Sequence, residues 1–156
     1  MENWGLSEWL HWQETLNPRK IDLDLNRVGI VASKLDIQPP ANRTFLIAGT
    51  NGKGTTLAII EDILIQKGLK VGSYTSPHLI SYNERIRINK QPIDDSRLIE
   101  SFKRIETIRD DILLTYFEFG TLAAFITLKD LNCDAWLIEV GLGAVSYTHL
   151  TLPTKA

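Results

Sequence analysis

The chain has 156 residues, 44% of them hydrophobic, with a net charge of −2 and a single cysteine. That is enough chain for one domain with a real core; the charge gives no reason to expect a nucleic-acid partner, and one cysteine excludes an internal disulfide and argues against a cysteine-rich metal site. No basic region precedes an apolar core at the N-terminus and no apolar run approaches the ~20 residues of a membrane span, so the reading is a soluble, cytoplasmic protein that engages neither nucleic acid nor membrane.

Leu6 to Leu16 reads as a helix, with Ser7 as candidate cap and Asn17-Pro18 as its end. Trp4, Trp9 and Trp12 are read as packing residues of that helix rather than as a ligand platform. Ile21 to Leu35 carries Leu25, Val28, Val31 (or Ala32) and Leu35 at helical spacing, and Gln38-Pro39-Pro40 stops it. An apolar run, Thr44 to Ala48, is the first strand.

The next stretch, Gly49-Thr50-Asn51-Gly52-Lys53-Gly54-Thr55-Thr56, is the one on which function turns. A strand precedes it and a helical pattern, Leu57 to Lys67, follows, with Ile59, Ile60, Ile63 and Leu64 as the expected buried face and Gly68 as the C-terminal cap. Strand, glycine-rich turn and helix is the context of a phosphate-binding loop. Glycines let backbone N–H groups approach an anion, and the helix adds unsatisfied N–H groups and the positive end of its dipole. Lys53 supplies a point charge, and Thr55 or Thr56 a hydroxyl for phosphate or metal. The pattern departs from G-x-x-x-x-G-K-[ST] twice: Ile47 sits where the first glycine belongs, and Gly54 follows the lysine. The competing reading is a tight turn capping a helix beside an exposed lysine.

Val71 to Thr75 is a second strand, completing a right-handed parallel strand–helix–strand unit with the first. Ser76-Pro77-His78-Leu79 lies at its C-terminal end, the edge where ligands gather in open α/β sheets. Glu84 to Asn89 alternates charged and apolar residues as a short half-exposed strand that Pro92 breaks. Asp94, Asp95 or Ser96 caps a helix running to about Arg109, and Phe117 to Leu131 is a mostly apolar, buried helix. Ala135 to Val140 is a third strand, apolar enough for burial on both faces, ending in Gly141-Leu142-Gly143.

Glu139 is the second functional candidate. A carboxylate at the end of a buried strand must be paired, protonated or metal-bound, and beside a phosphate loop it suits Mg²⁺. Ser76 is a candidate by position, and His78 is an acid–base candidate or a structural loop residue. Arg85 and Arg87 are either an anion clamp or solvated residues of an edge strand.

Several separated stretches match one family in order. They are IDLDLNRV from Ile21, GTNGKGTT from Gly49, YTSPHL from Tyr74, YNERI from Tyr82, LTYFEFGT from Leu114 and EVGLG from Glu139. The chain resembles the N-terminal part of the folylpolyglutamate synthase/dihydrofolate synthase family, within the Mur ligase superfamily. The resemblance implies an α/β, P-loop NTPase-like three-layer domain with a parallel sheet, present only in part. It implies ATP-dependent ligation of L-glutamate to dihydropteroate or folates through an acyl phosphate, by a monomeric parent enzyme using ATP and Mg²⁺. Carried over residue by residue, Gly49, Thr50, Asn51, Gly52, Lys53, Gly54, Thr55 and Thr56 hold ATP, with Lys53 and Glu139 catalytic and Ser76 and Glu139 holding Mg²⁺. Asp22, Leu25, Arg27, Val28, His78 and Phe117 lie along the pterin or folate. The family usually has glycine where Asp24 stands. Its motif departs after Gly143, and residues 144–156 match nothing in it. The expectation is therefore an ATP-binding part over residues 1–143, a non-native tail over 144–156, and no C-terminal glutamate-binding domain. A switch-type P-loop ATPase or kinase, and a stand-alone nucleotide-binding module, are the alternatives.

Overall fold

The computed structural model describes residues 1–17, 26–37 and 43–140. The Gln38-Pro39-Pro40 stop, the start of the second expected helix, the Gly141–Gly143 turn and the 144–156 tail lie outside the described residues. Helices α1 to α5 span Leu6–Leu16, Asn26–Lys34, Lys53–Gln66, Asp95–Ile108 and Tyr116–Asp130. Strands β1 to β5 span Thr44–Ile47, Val71–Tyr74, Ile86–Ile88, Gln91–Pro92 and Ala135–Glu139, with a 3₁₀ turn over Tyr82–Arg85.

The strands form one sheet in the order β1-β5-β2-β3-β4. β5 runs parallel to both β1 and β2, whereas β3 and β4 are antiparallel additions beyond β2. The fold is α/β, with a mixed sheet rather than a wholly parallel one. The two strands flanking the glycine loop are not neighbours, because β5 sits between them. All five residues of β5 are buried, and a strand apolar on both faces belongs in the middle of a sheet.

Helices cover both faces. On one side α3 packs over a small cluster of Ile47, Leu57, Val71 and Leu137. On the other, Trp136 and Ile138 of β5 join a larger core with Tyr74, Phe102, Phe119, Phe125 and Leu128, under α4 and α5. Helix α1 lies against that core through Trp9, and Trp4, Trp9 and Trp12 stack edge-on with centroids 5.5–6.0 Å apart. The packing reading of this cluster holds.

The expected buried face of α3 is corrected. Leu57 and Glu61 are buried, Ile60 and Leu64 are partly so, but Ile59 and Ile63 are 56% and 49% exposed. The helix is apolar over more than one stripe, and only the Leu57–Glu61–Leu64 stripe can meet the sheet. Ile59 and Ile63, with the half-exposed Phe45 of β1, leave apolar surface beside a strand at the sheet edge.

Local chemistry sets the other boundaries. Asp94 caps α4, accepting the Arg97 N–H at 2.8 Å. Thr115 and Glu118 form a capping box that starts α5 one residue before Phe117. Gly5, not Ser7, precedes α1. Ser81 and Glu84 form a second capping box, which draws Tyr82–Arg85 into a turn and leaves only Ile86–Ile88 as strand. Pro92 lies in the edge strand β4, so the arginine-bearing β3 is internal.

Gly120 permits a very close contact in the larger core. A Cβ there would lie 2.3 Å from the Tyr82 hydroxyl. Overpacking of this kind costs about 1–3 kcal/mol, against about 1 kcal/mol that alanine regains in helix propensity. Gly120→Ala should therefore lower the urea midpoint, and adding Tyr82→Phe should recover most of the loss; a destabilisation untouched by Tyr82→Phe would refute the contact as its cause.

Burial raises the Tyr82 phenol, moves that of Tyr116 to about 12 and pushes the Cys133 thiol to about 11. In the unfolded chain these groups ionise near their ordinary values, roughly 10 for tyrosine and 8.5 for cysteine. Above about pH 9 the unfolded state thus binds fewer protons than the folded one, so stability falls as pH rises. Urea melts at about pH 8 and 10.5 should show a lower midpoint at the higher pH, and Tyr82→Phe should lessen the drop.

Candidate functional site

β1 ends at Ile47, and the chain leaves the sheet through Ala48 and Gly49. Gly49 has φ +150° and Gly52 φ +77°, conformations that favour glycine, and Gly52 turns the chain into α3. Gly52 offers no side-chain cap to the helix. The first N–H groups of α3 therefore lack the side-chain acceptor that usually meets them. Thr50, Asn51, Gly52, Gly54, Thr55 and Thr56 are all exposed around this turn.

Lys53 is the first residue of α3. Its ammonium donates to the Gly49 carbonyl at 2.9 Å and lies 3.8 Å from Glu139 Oε1. Glu139 ends β5 directly opposite Ile47 in register, and only 8% of it is exposed. Its other oxygen accepts the Ser76 N–H at 3.2 Å. Parallel pairing of β5 with β1 and β2 thus brings Lys53, Glu139 and Ser76 from three separate segments to one strand-end edge. The Glu139 carboxylate stands between the glycine loop and the segment that follows β2.

Ser76 and Pro77 are joined by a cis peptide bond. Beyond them, the Glu84 carboxylate accepts the N–H groups of Leu79, Ile80 and Ser81 at 2.8–3.0 Å. Those backbone donors hold its acid below the usual carboxylate range. His78 Nδ1 accepts from Arg85 Nε at 2.8 Å, and the Arg85 guanidinium lies 5.1 Å over Tyr82 and 6.0 Å over Tyr116. His78 is thereby drawn toward the start of α5, where Phe117 is half-buried.

The remaining expected residues are placed differently. Arg27 donates through Nε and Nη2 to Glu118, which is also held by the Thr115 N–H and hydroxyl. Val28 is 1% exposed within the larger core. Asp22 and Leu25 lie outside the described residues. Among the described residues no three His, Cys, Asp or Glu side chains cluster as a ready-made metal cage.

Two organising residues were not singled out by sequence reading. Glu84 was legible, since Ser81-x-x-Glu84 is a capping-box spacing. Glu61 was not. It sits in an apolar helix, 1% exposed, and accepts from Ser73 Oγ at 3.3 Å with Arg87 Nη2 at 3.7 Å.

No family model matches the sequence. The dihydrofolate synthase/folylpolyglutamate synthase of Escherichia coli (strain K12) is 49% identical over 138 residues, 88% of this chain and 33% of that protein. That of Haemophilus influenzae is 46% identical over 138 residues, 88% and 31% of the two chains. Among solved structures, E. coli FolC in complex with DHPP and ADP aligns with a TM-score of 0.86 at 47% identity, over 90% of this chain and 34% of that one. The Yersinia pestis bifunctional enzyme complexed with AMPPNP and Mn ion aligns with a TM-score of 0.85 at 48% identity, over the same shares, 90% and 34%. The chain spans about a third of the length of these relatives. In sequence and in fold alike, over nearly all of its own length, the chain is a homologue of the folylpolyglutamate synthase/dihydrofolate synthase family and matches the N-terminal part of its structure.

Proposed function

We propose that these 156 residues form the phosphate-binding part of an ATP-dependent ligase that joins L-glutamate to dihydropteroate or a folate. The observation that carries this reading is the convergence of Lys53, Glu139 and Ser76 beside an uncapped helix start. The relatives solved with ADP, with AMPPNP and Mn, and with L-glutamate support it. Ligation itself is proposed for a protein of the relatives' full length. The 156-residue chain by itself is assigned nucleotide binding.

The glycine loop and the α3 N–H groups would receive the phosphates, as helix starts do for anions. Lys53 would turn from Gly49 and Glu139 to the outer phosphates. The site fits a hard divalent ion such as Mg²⁺, which takes one or two protein oxygens and completes its shell with phosphate and water. Glu139 and the Ser76 hydroxyl are the groups that would hold it. When bound, the ion supplies neutralisation of the charge that builds on the phosphates during transfer to a substrate carboxylate. Fixed charges near the phosphates, with little reorganisation, are what such a transfer needs.

Calorimetric titration of the chain with ATP, with and without Mg²⁺, tests this. Lys53→Ala should weaken ATP binding by roughly 10- to 100-fold, the loss of one charge-assisted hydrogen bond, with the circular dichroism spectrum unchanged. Absence of ATP binding by the unaltered chain would sink the proposal.

Glu139→Gln should separate the metal from the nucleotide. With Mg²⁺ present, ATP affinity should fall about tenfold or more. Without metal it should hold or rise, because a carboxylate facing the phosphates has been removed. Equal losses under both conditions would place Glu139 outside the metal site.

A further inference from the structure

We infer that Glu61, Ser73 and Arg87 form a lock that positions the phosphate-binding end of α3 relative to the Ser76–Glu139 pair. This rests on the proposed nucleotide site, and it concerns three residues that touch neither nucleotide nor metal.

The geometry is closed. Ser73 and Arg87 are register partners on β2 and β3. The Ser73 hydroxyl donates to Glu61 Oε1 at 3.3 Å and accepts from Arg87 Nε at 3.3 Å. Arg87 Nη2 lies 3.7 Å from Glu61 Oε2. The side chain of Glu61 is 2% exposed and that of Arg87 29%, so the carboxylate is the buried partner and the guanidinium reaches it from the rim. A buried carboxylate left without its partners is strongly unfavourable, so the three groups hold together or not at all.

What they hold is the axial position of α3. The apolar seat of this helix is small, with Leu57 as its one buried apolar side chain and Ile59 and Ile63 turned to solvent. Such a seat resists tilting better than sliding. A slip of one residue moves a helix by ~1.5 Å, enough to break both contacts of Glu61. Glu61 is two turns from Lys53, ~12 Å along the axis, so it acts through the helix and not on the ligand. Ser73, three residues before Ser76, fixes the other limb. The lock therefore joins the element carrying the phosphate cradle to the strand leading to the Ser76–Glu139 pair.

This predicts a particular signature. The cradle of loop N–H groups and Lys53 travels with α3 and keeps its shape when the helix shifts. A metal ion bridging phosphate to Glu139 and Ser76 needs both limbs in register. Breaking the lock should thus weaken metal-dependent binding selectively, whereas general loosening would weaken both modes.

The test is calorimetry of the 156-residue chain with ATP, with and without MgCl₂, for Glu61→Gln, Arg87→Lys, Arg87→Met and the Glu61→Gln/Arg87→Met double variant. Each single loss should lower affinity for ATP with Mg²⁺ about tenfold and metal-free affinity less than twofold, and the double variant should be no worse than the weaker single, as for coupled neighbours. Arg87→Lys, which keeps the charge, should recover part of the loss and carries the test if Arg87→Met does not fold. Equal loss in both modes, or none, overturns the lock alone. ATP binding by the unaltered chain that ignores Mg²⁺ overturns it as well. No ATP binding by the unaltered chain overturns the nucleotide site and the lock together.

Discussion

β5 pairs in parallel with β1 on one side and β2 on the other, and nearly everything else in the site follows from that pairing. Parallel neighbours end at the same edge of a sheet. The residues just past three strand ends, which are remote in sequence, therefore meet. Glu139 stands opposite Ile47, next to the glycine loop, and its carboxylate reaches the first backbone N–H past Thr75. A carboxylate 8% exposed is tolerable there because Lys53 and the Ser76 N–H face it.

The two faces of the sheet are unequal. The α5 face holds a thick aromatic core, in which Phe102 and Phe119 meet edge-on at 5.6 Å and Phe125 lies 5.3 Å from Trp136. The α3 face rests on a thin apolar seat supplemented by a buried polar triad. The glycine loop is therefore attached to the less massive side, where polar contacts rather than area decide position. The same face carries the exposed Ile59, Ile63 and Phe45 beside edge strand β1, the kind of surface that invites further pairing or self-association.

The loop after β2 shows how a short irregular segment is made definite. One carboxylate, Glu84, receives three consecutive N–H groups, and one guanidinium, Arg85, holds His78 while stacking on two tyrosines. These two adjacent residues arrange His78 to Ser81 from the far side of the turn. Leu79 and Ile80 are left 90% and 93% exposed on a backbone whose N–H groups are both held by the Glu84 carboxylate.

Much of this was legible in the chain itself. The glycine loop, the strands on either side of it, the carboxylate closing a doubly apolar strand and the capping signal at Asp94 are local patterns, and local patterns depend on neighbours a few residues apart. The order of the strands was not legible, because it depends on which apolar strand is buried on both faces once all are assembled. Nor was the buried stripe of α3, since Ile59 and Ile63 differ from Ile60 and Leu64 only in what lies opposite them. Gly120 reads as a weak helix residue until the Tyr82 hydroxyl is set against it. The roles of Glu61, Ser73 and Arg87 belong to contacts between residues 12 to 26 positions apart. By itself the sequence determined most of the element types and which residues stand at the strand ends. Tertiary structure alone decided which ends meet and which polar groups are buried together, because both depend on long-range packing.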